Sequence, residues 1–200
     1  MSAGFLFWQS GFFPWLTRIV IVSLLVILLI LYFRKSKVIS KIVNLSLVSV
    51  FVLYSLQIVF WAQITYKSWK NSKGLAKYFF PPYTNYYQIL VGRKITAFFI
   101  SITLALGLAF VFWIVFSILK KNLFDFNQLK LIFLGAFICS WPKMILYFGL
   151  ALIIALLILI SKKIKKVDLI PCFLISALVI FIFGDLISKW MGLKVLRLTL

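Results

Sequence analysis

The sequence predicts an all-α, polytopic membrane protein, with about six transmembrane helices in a single domain over residues 1–200 and a short helical hairpin at 129–160. Three observations predict it. The chain is 64% hydrophobic and 18% aromatic, with a mean hydropathy of +1.14. Several apolar runs approach or exceed the ~20 residues that cross ~30 Å of hydrocarbon at 1.5 Å per residue. The basic residues fall in short clusters between those runs, the pattern of loops facing anionic headgroups. In lipid each backbone N–H and C=O must be satisfied within the segment, so apolar runs of this length are helices.

Met1 to Thr17 has no basic n-region and no small-residue cleavage pattern, so it is not a signal peptide. Trp8 and Trp15 suit an interfacial anchor. The first span is expected at 16–33, with Arg18 free to snorkel, followed by the basic loop Arg34, Lys35, Lys37 and Lys41. The second, 42–64, is more polar, with Asn44, Ser46, Ser49, Ser55, Gln57 and Gln63. None of these is charged and they share no clean face, which favours hydrogen bonding to neighbouring helices over a substrate path.

Residues 65–94 read as a surface loop. It joins Lys67, Lys70, Lys73, Lys77, Arg93 and Lys94 to Tyr78, Phe79, Phe80, Pro81, Pro82, Tyr83, Tyr86 and Tyr87. Pro81-Pro82 stops a helix, and tyrosines beside lysines suit the headgroup layer. The loop either lies on the membrane or offers a docking surface for a partner or lipid. The third span, 95–119, carries Ser101, Ala105 and Ala109 at every fourth position, with Gly107 nearby, a ridge that admits close helix approach.

The fourth run, 129–141, is short for an untilted span, and Pro142 and Lys143 close it. With the fifth run, 144–160, it forms the hairpin. Lys162, Lys163, Lys165 and Lys166 make a basic loop before the sixth run, 169–187, and Lys189, Lys194 and Arg197 form a basic tail. Assigning the compact clusters at 34–41 and 162–166 to the inside places the N-terminus outside the cell membrane. Asp185 stands four residues before Lys189, the favoured order for an i,i+4 ion pair on a helix.

A net charge of +19 from 22 Lys+Arg and 3 Asp+Glu could suggest nucleic acid. Its division among loops points to anionic lipid headgroups, and no nucleic-acid partner is expected. The chain has no histidine, and Cys139 and Cys172 lie inside apolar runs as buried structural thiols. Ligands for zinc, haem or an iron–sulfur cluster are lacking, a Ser-His or Cys-His nucleophile is ruled out, and no cofactor is expected.

Gln128-Leu129-Lys130-Leu131 precedes Leu134-Gly135-Ala136-Phe137 and Trp141. Further on come Ile170-Pro171-Cys172-Phe173-Leu174, Phe183-Gly184-Asp185 and Trp190-Met191-Gly192-Leu193, and earlier Tyr32-Phe33-Arg34 through Val38-Ile39. In this order the segments resemble the type IV prepilin peptidases and archaeal preflagellin peptidases, which are membrane aspartic proteases. The resemblance covers residues 20–193 in outline, with matching letters over 128–193. It implies one catalytic Asp at the cytoplasmic end of an early helix and a second in G-x-G-D-x-K-L, which opens a later helix on the same side.

This chain departs from the pattern where the chemistry lies. The first aspartate position reads Tyr32 and the second Gln128, Lys130 keeps the lysine, and Asp125 and Asn127 replace both glycines. The zinc-binding cysteine module of the family is absent as well. Two-carboxylate catalysis needs one ionised and one protonated acid, and Tyr and Gln supply neither. Asp125 sits three positions upstream, and Asp168 and Asp185 lie at opposite ends of the sixth run, ~25 Å apart by helical rise. The resemblance therefore implies a pseudoenzyme: a non-catalytic membrane scaffold that binds a membrane-protein partner. The alternatives are a small transporter or channel, disfavoured because no span carries a central charge pair, and a peptidase with relocated acids.

Overall fold

A computed structural model describes residues 13–34, 38–71, 78–79, 84–118, 126–162 and 168–191. Trp8, Asp125, Phe80, Pro81, Pro82, Tyr83 and much of the basic loops lie outside them. The described residues form six helices: α1 (Phe13–Phe33), α2 (Ile39–Lys70), α3 (Tyr86–Ile118), α4 (Phe126–Cys139), α5 (Lys143–Lys162) and α6 (Leu169–Trp190). Five are long and apolar enough to cross a membrane, and α4 is the short one. The fold is all-helical, as the sequence predicts.

α4 is the centre of the bundle. Leu131, Ile132 and Leu134 to Cys139 are all buried, with no exposed stripe among them. A helix apolar and buried all round belongs inside other helices, and α4 packs against α2, α3, α5 and α6. Its 14 residues give about 21 Å of rise. The helix stops at Ser140, whose φ of 54° is the left-handed conformation common just past a helix end. The Ser140 carbonyl then accepts from the Met144 N–H at 2.9 Å, and α5 runs back alongside.

The outer helices turn one stripe inward and the other to lipid. On α1, Thr17, Ile21, Leu25 and Leu28 are buried at three- and four-residue spacing, whereas Ile19, Val26, Ile27 and Ile30 are exposed. On α5, Tyr147, Phe148, Ala151 and Ala155 face in, while Leu152, Ile153, Leu156 and Leu157 face out. The small ridge on α3 is buried at Ser101, Ala105 and Ala109, and α3 packs on α4. Aromatic contacts close the ring of helices, with Phe112 of α3 stacked on Phe148 of α5 at 5.0 Å and edge-on to Phe173 of α6.

Two helices run past the spans expected from hydropathy. α2 continues to Lys70 and α3 begins at Tyr86, so residues 65–70 and 86–94 are helical rather than loop. At 32 and 33 residues they rise about 48 and 50 Å, well beyond ~30 Å of hydrocarbon. Lysine and arginine are good helix formers, so hydropathy marks the end of the lipid-facing stretch and not the end of the helix.

Candidate functional site

Tyr32 and Gln128, the two positions where this chain departs from the peptidase pattern, lie close together. Tyr32, on the last turn of α1, donates its hydroxyl hydrogen to Asp168 Oδ2 at 2.7 Å. The Gln128 side chain, on the first turn of α4, lies beside the same hydroxyl. Asp168 is the N-cap of α6, and its Oδ1 accepts from the Ile170 N–H at 3.2 Å. One carboxylate thus ties the end of α1 to the start of α6 while serving an orphan donor of its own helix. Beside it, Ser40 of α2 donates to Asn127 Oδ1 at 2.9 Å. Lys130 reaches Asn44 Oδ1 at 2.8 Å, with its ammonium 4.7 Å from the Phe126 ring centre.

Sequence reasoning missed Asp168, having weighed it only against Asp185. The available signal was its place directly before the sixth apolar run: spans alternate in direction, so that start shares a face with the end of the first run. Chemically the cluster holds a carboxylate, a phenol, amides and an ammonium. Asp125 lies outside the described residues. Among the described residues no group of three or more His, Cys, Asp or Glu could hold a metal.

The opposite end of the bundle carries a charge cluster. Asp185 Oδ1 is 2.7 Å from Lys143 Nζ, and its Oδ2 is 3.7 Å from Arg18. These interhelical partners correct the emphasis on Lys189: the 2.7 Å pair joins α6 to α5, and Arg18 adds α1. Gly184 makes room for it, since a Cβ there would stand 3.2 Å from Lys143 Cδ. The Lys143 side chain is 18% exposed and that of Asp185 52%, so the pair lies between the buried and surface regimes. Lys143→Met is expected to cost about 1–2 kcal/mol, against no resolved change for Lys189→Met, read as thermal unfolding in detergent.

Of the aromatic residues expected on a surface loop, Phe79, Tyr86 and Tyr87 pack at the helix ends, and Phe80 and Tyr83 lie outside the described residues. Trp69 stacks on Tyr86 and meets Phe79 at 5.3 Å, and Phe79 meets Tyr86 at 5.2 Å. Tyr87 donates to the Ala62 carbonyl at 2.9 Å, and Thr84 to that of Tyr78 at 3.0 Å. The rings therefore join the C-terminal end of α2 to the N-terminal end of α3. Below them the two helices leave a groove of about 480 Å³.

No family model, curated protein or solved structure matches this chain.

Proposed function

We propose that this multi-pass membrane protein is a non-catalytic scaffold of prepilin-peptidase-like ancestry, with its N-terminus outside and the Tyr32–Gln128–Asp168 cluster on the cytoplasmic side. The observation that carries the reading is the hydrogen bonding at Tyr32. The residues standing where the family has its two aspartates meet at one hydroxyl, and they do so as a neutral phenol and a neutral amide. An unperturbed phenol titrates near pH ~10, so at neutral pH the contact closes α1 onto α4 and α6 without a proton-sharing acid pair. The scaffold's partner is another membrane protein.

Purified protein in detergent, incubated with a prepilin-like leader peptide, is expected to leave it uncleaved, and Asp125→Ala and Asp168→Ala to change nothing. Tyr32→Asp with Gln128→Asp is expected to give little or no cleavage, because a catalytic pair must be held within ~0.5 Å by its supporting shell. The second reading, a peptidase with relocated acids, draws on Asp168, an acid in contact with the Tyr32 position. Cleavage by the unmodified chain that is lost with Asp168→Ala or Asp125→Ala would establish it. Ion or solute flux in proteoliposomes would instead favour a transporter.

The orientation has its own test. With Cys139 and Cys172 replaced, cysteines at Ser36 and Ser161 are expected to resist impermeant thiol reagents in intact cells, and one at Asn71 to react. Labelling at Ser36 reverses the assignment.

A further inference from the structure

The groove between the outer halves of α2 and α3 is graded along its length. Its inner end is walled by Ile58 and Val59 of α2 and by Val91 and Ile95 of α3, and its outer end by Tyr66 and Lys67. Counted from Ile42, where the apolar run begins, Ile58 lies about 24 Å along the helix axis and Lys67 about 38 Å. A hydrocarbon layer ~30 Å thick therefore ends within the groove, so the apolar end faces acyl chains and the polar end faces headgroups. The charge at the rim has one sign. Lys70 stands 5.4 Å from the Tyr66 ring centre, while Lys94, one residue before Ile95 at the inner end, holds its ammonium 5.4 Å from the Trp61 ring centre. The chain's three acids are Asp125, Asp168 and Asp185, so neither helix carries a carboxylate.

We propose that this groove is a binding site for an anionic phospholipid, with its first methylenes against Ile58, Val59, Val91 and Ile95 and its phosphate at Lys67. The gradient from apolar to cationic runs in the direction a phospholipid lies in the leaflet at this end of the bundle. A lysine near the headgroup plane favours an anionic over a zwitterionic lipid by about fivefold. The pocket is of the size that small-ligand sites occupy. The assignment is independent of the scaffold reading, since it involves neither Tyr32 nor Asp168.

Native mass spectrometry of the detergent-purified protein, supplied with equal amounts of phosphatidylglycerol and phosphatidylcholine, tests it. The expected result is preferential retention of phosphatidylglycerol, reduced about fivefold in Lys67→Gln and unchanged in Lys41→Gln at the other end of α2. Ala62→Phe, which puts a ring into the groove without altering charge, is expected to lose both lipids. Equal retention of the two lipids by the unmodified protein overturns the proposal, as does undiminished phosphatidylglycerol on Lys67→Gln or on Ala62→Phe.

Discussion

Gly135→Val is expected to unfold the bundle, and Gly135→Ala to destabilise it by about 1–3 kcal/mol, the usual cost of overpacking a filled core. A Cβ at residue 135 would lie 2.5 Å from the Tyr147 hydroxyl oxygen and 2.8 Å from Tyr147 Cζ. Tyr147 has no easy escape. It is fully buried, its hydroxyl donates to the Ile132 carbonyl at 3.2 Å, and its own carbonyl accepts from Ser176 at 2.6 Å. Its ring is closed in by Phe148 at 4.8 Å and Phe173 at 5.6 Å. The glycine is thus where α5 presses its tyrosine onto central α4. Thermal unfolding in detergent should show a loss for Gly135→Ala and none for Gly107→Ala, since a Cβ at Gly107 meets nothing within 4 Å. Pairing Gly135→Ala with Tyr147→Leu should recover part of the loss, because the two residues share one space.

Asp168→Ala is the second large effect, at about 2.5 kcal/mol. It removes a helix cap, ~1 kcal/mol, together with the acceptor of the Tyr32 hydroxyl. A hydrogen bond to a charged group contributes ~1.5–3 kcal/mol, and the exposure of Asp168 moves that figure to the low end. Asp168→Asn keeps the oxygen that accepts from the Ile170 N–H and places an NH2 at the Tyr32 hydroxyl, where it donates to the phenol oxygen instead of accepting from it, and is expected to stay within about 1 kcal/mol of the parent. In a double-mutant cycle, Tyr32→Phe should add little to Asp168→Ala, since either change breaks the same bond. Full additivity would show that the two side chains do not meet in the folded protein.

Much of the architecture was legible in the sequence, and the reasons are local. Long apolar runs must be helices in lipid, and the run ending at Pro142 was too short to match the others. The Ser101–Ala105–Ala109 spacing foretold a face that packs closely. What stayed hidden was set by tertiary structure. Nothing local in residues 131–139 says that α4 is enclosed on all sides, because lipid and protein interior are equally apolar. Tyr32 and Asp168 are 136 positions apart, and only the alternation of span directions brings them to one face. Asp185 had an attractive neighbour in Lys189, yet Lys143 and Arg18 reach it from other helices. The helix ends at Lys70 and Tyr86 escaped because charged residues continue a helix beyond the membrane as readily as they begin a loop.

Both the fold and the functional reading require that the end of α1, the start of α2, the start of α4 and the start of α6 meet at one face. Ser40 and Asn127, whose side-chain oxygens are 2.9 Å apart, allow this to be measured. In a background lacking Cys139 and Cys172, Ser40→Cys with Asn127→Cys should give an intramolecular product with a short bis-thiol reagent in native membranes. Ser40→Cys with Asn71→Cys, about 46 Å apart along α2 by helical rise, should give none. A 40–127 cross-link with no 40–71 product is the expected result. Failure of the 40–127 pair, or reaction of the cysteine at 127 with an impermeant reagent from the same side as the one at 71, would contradict the arrangement.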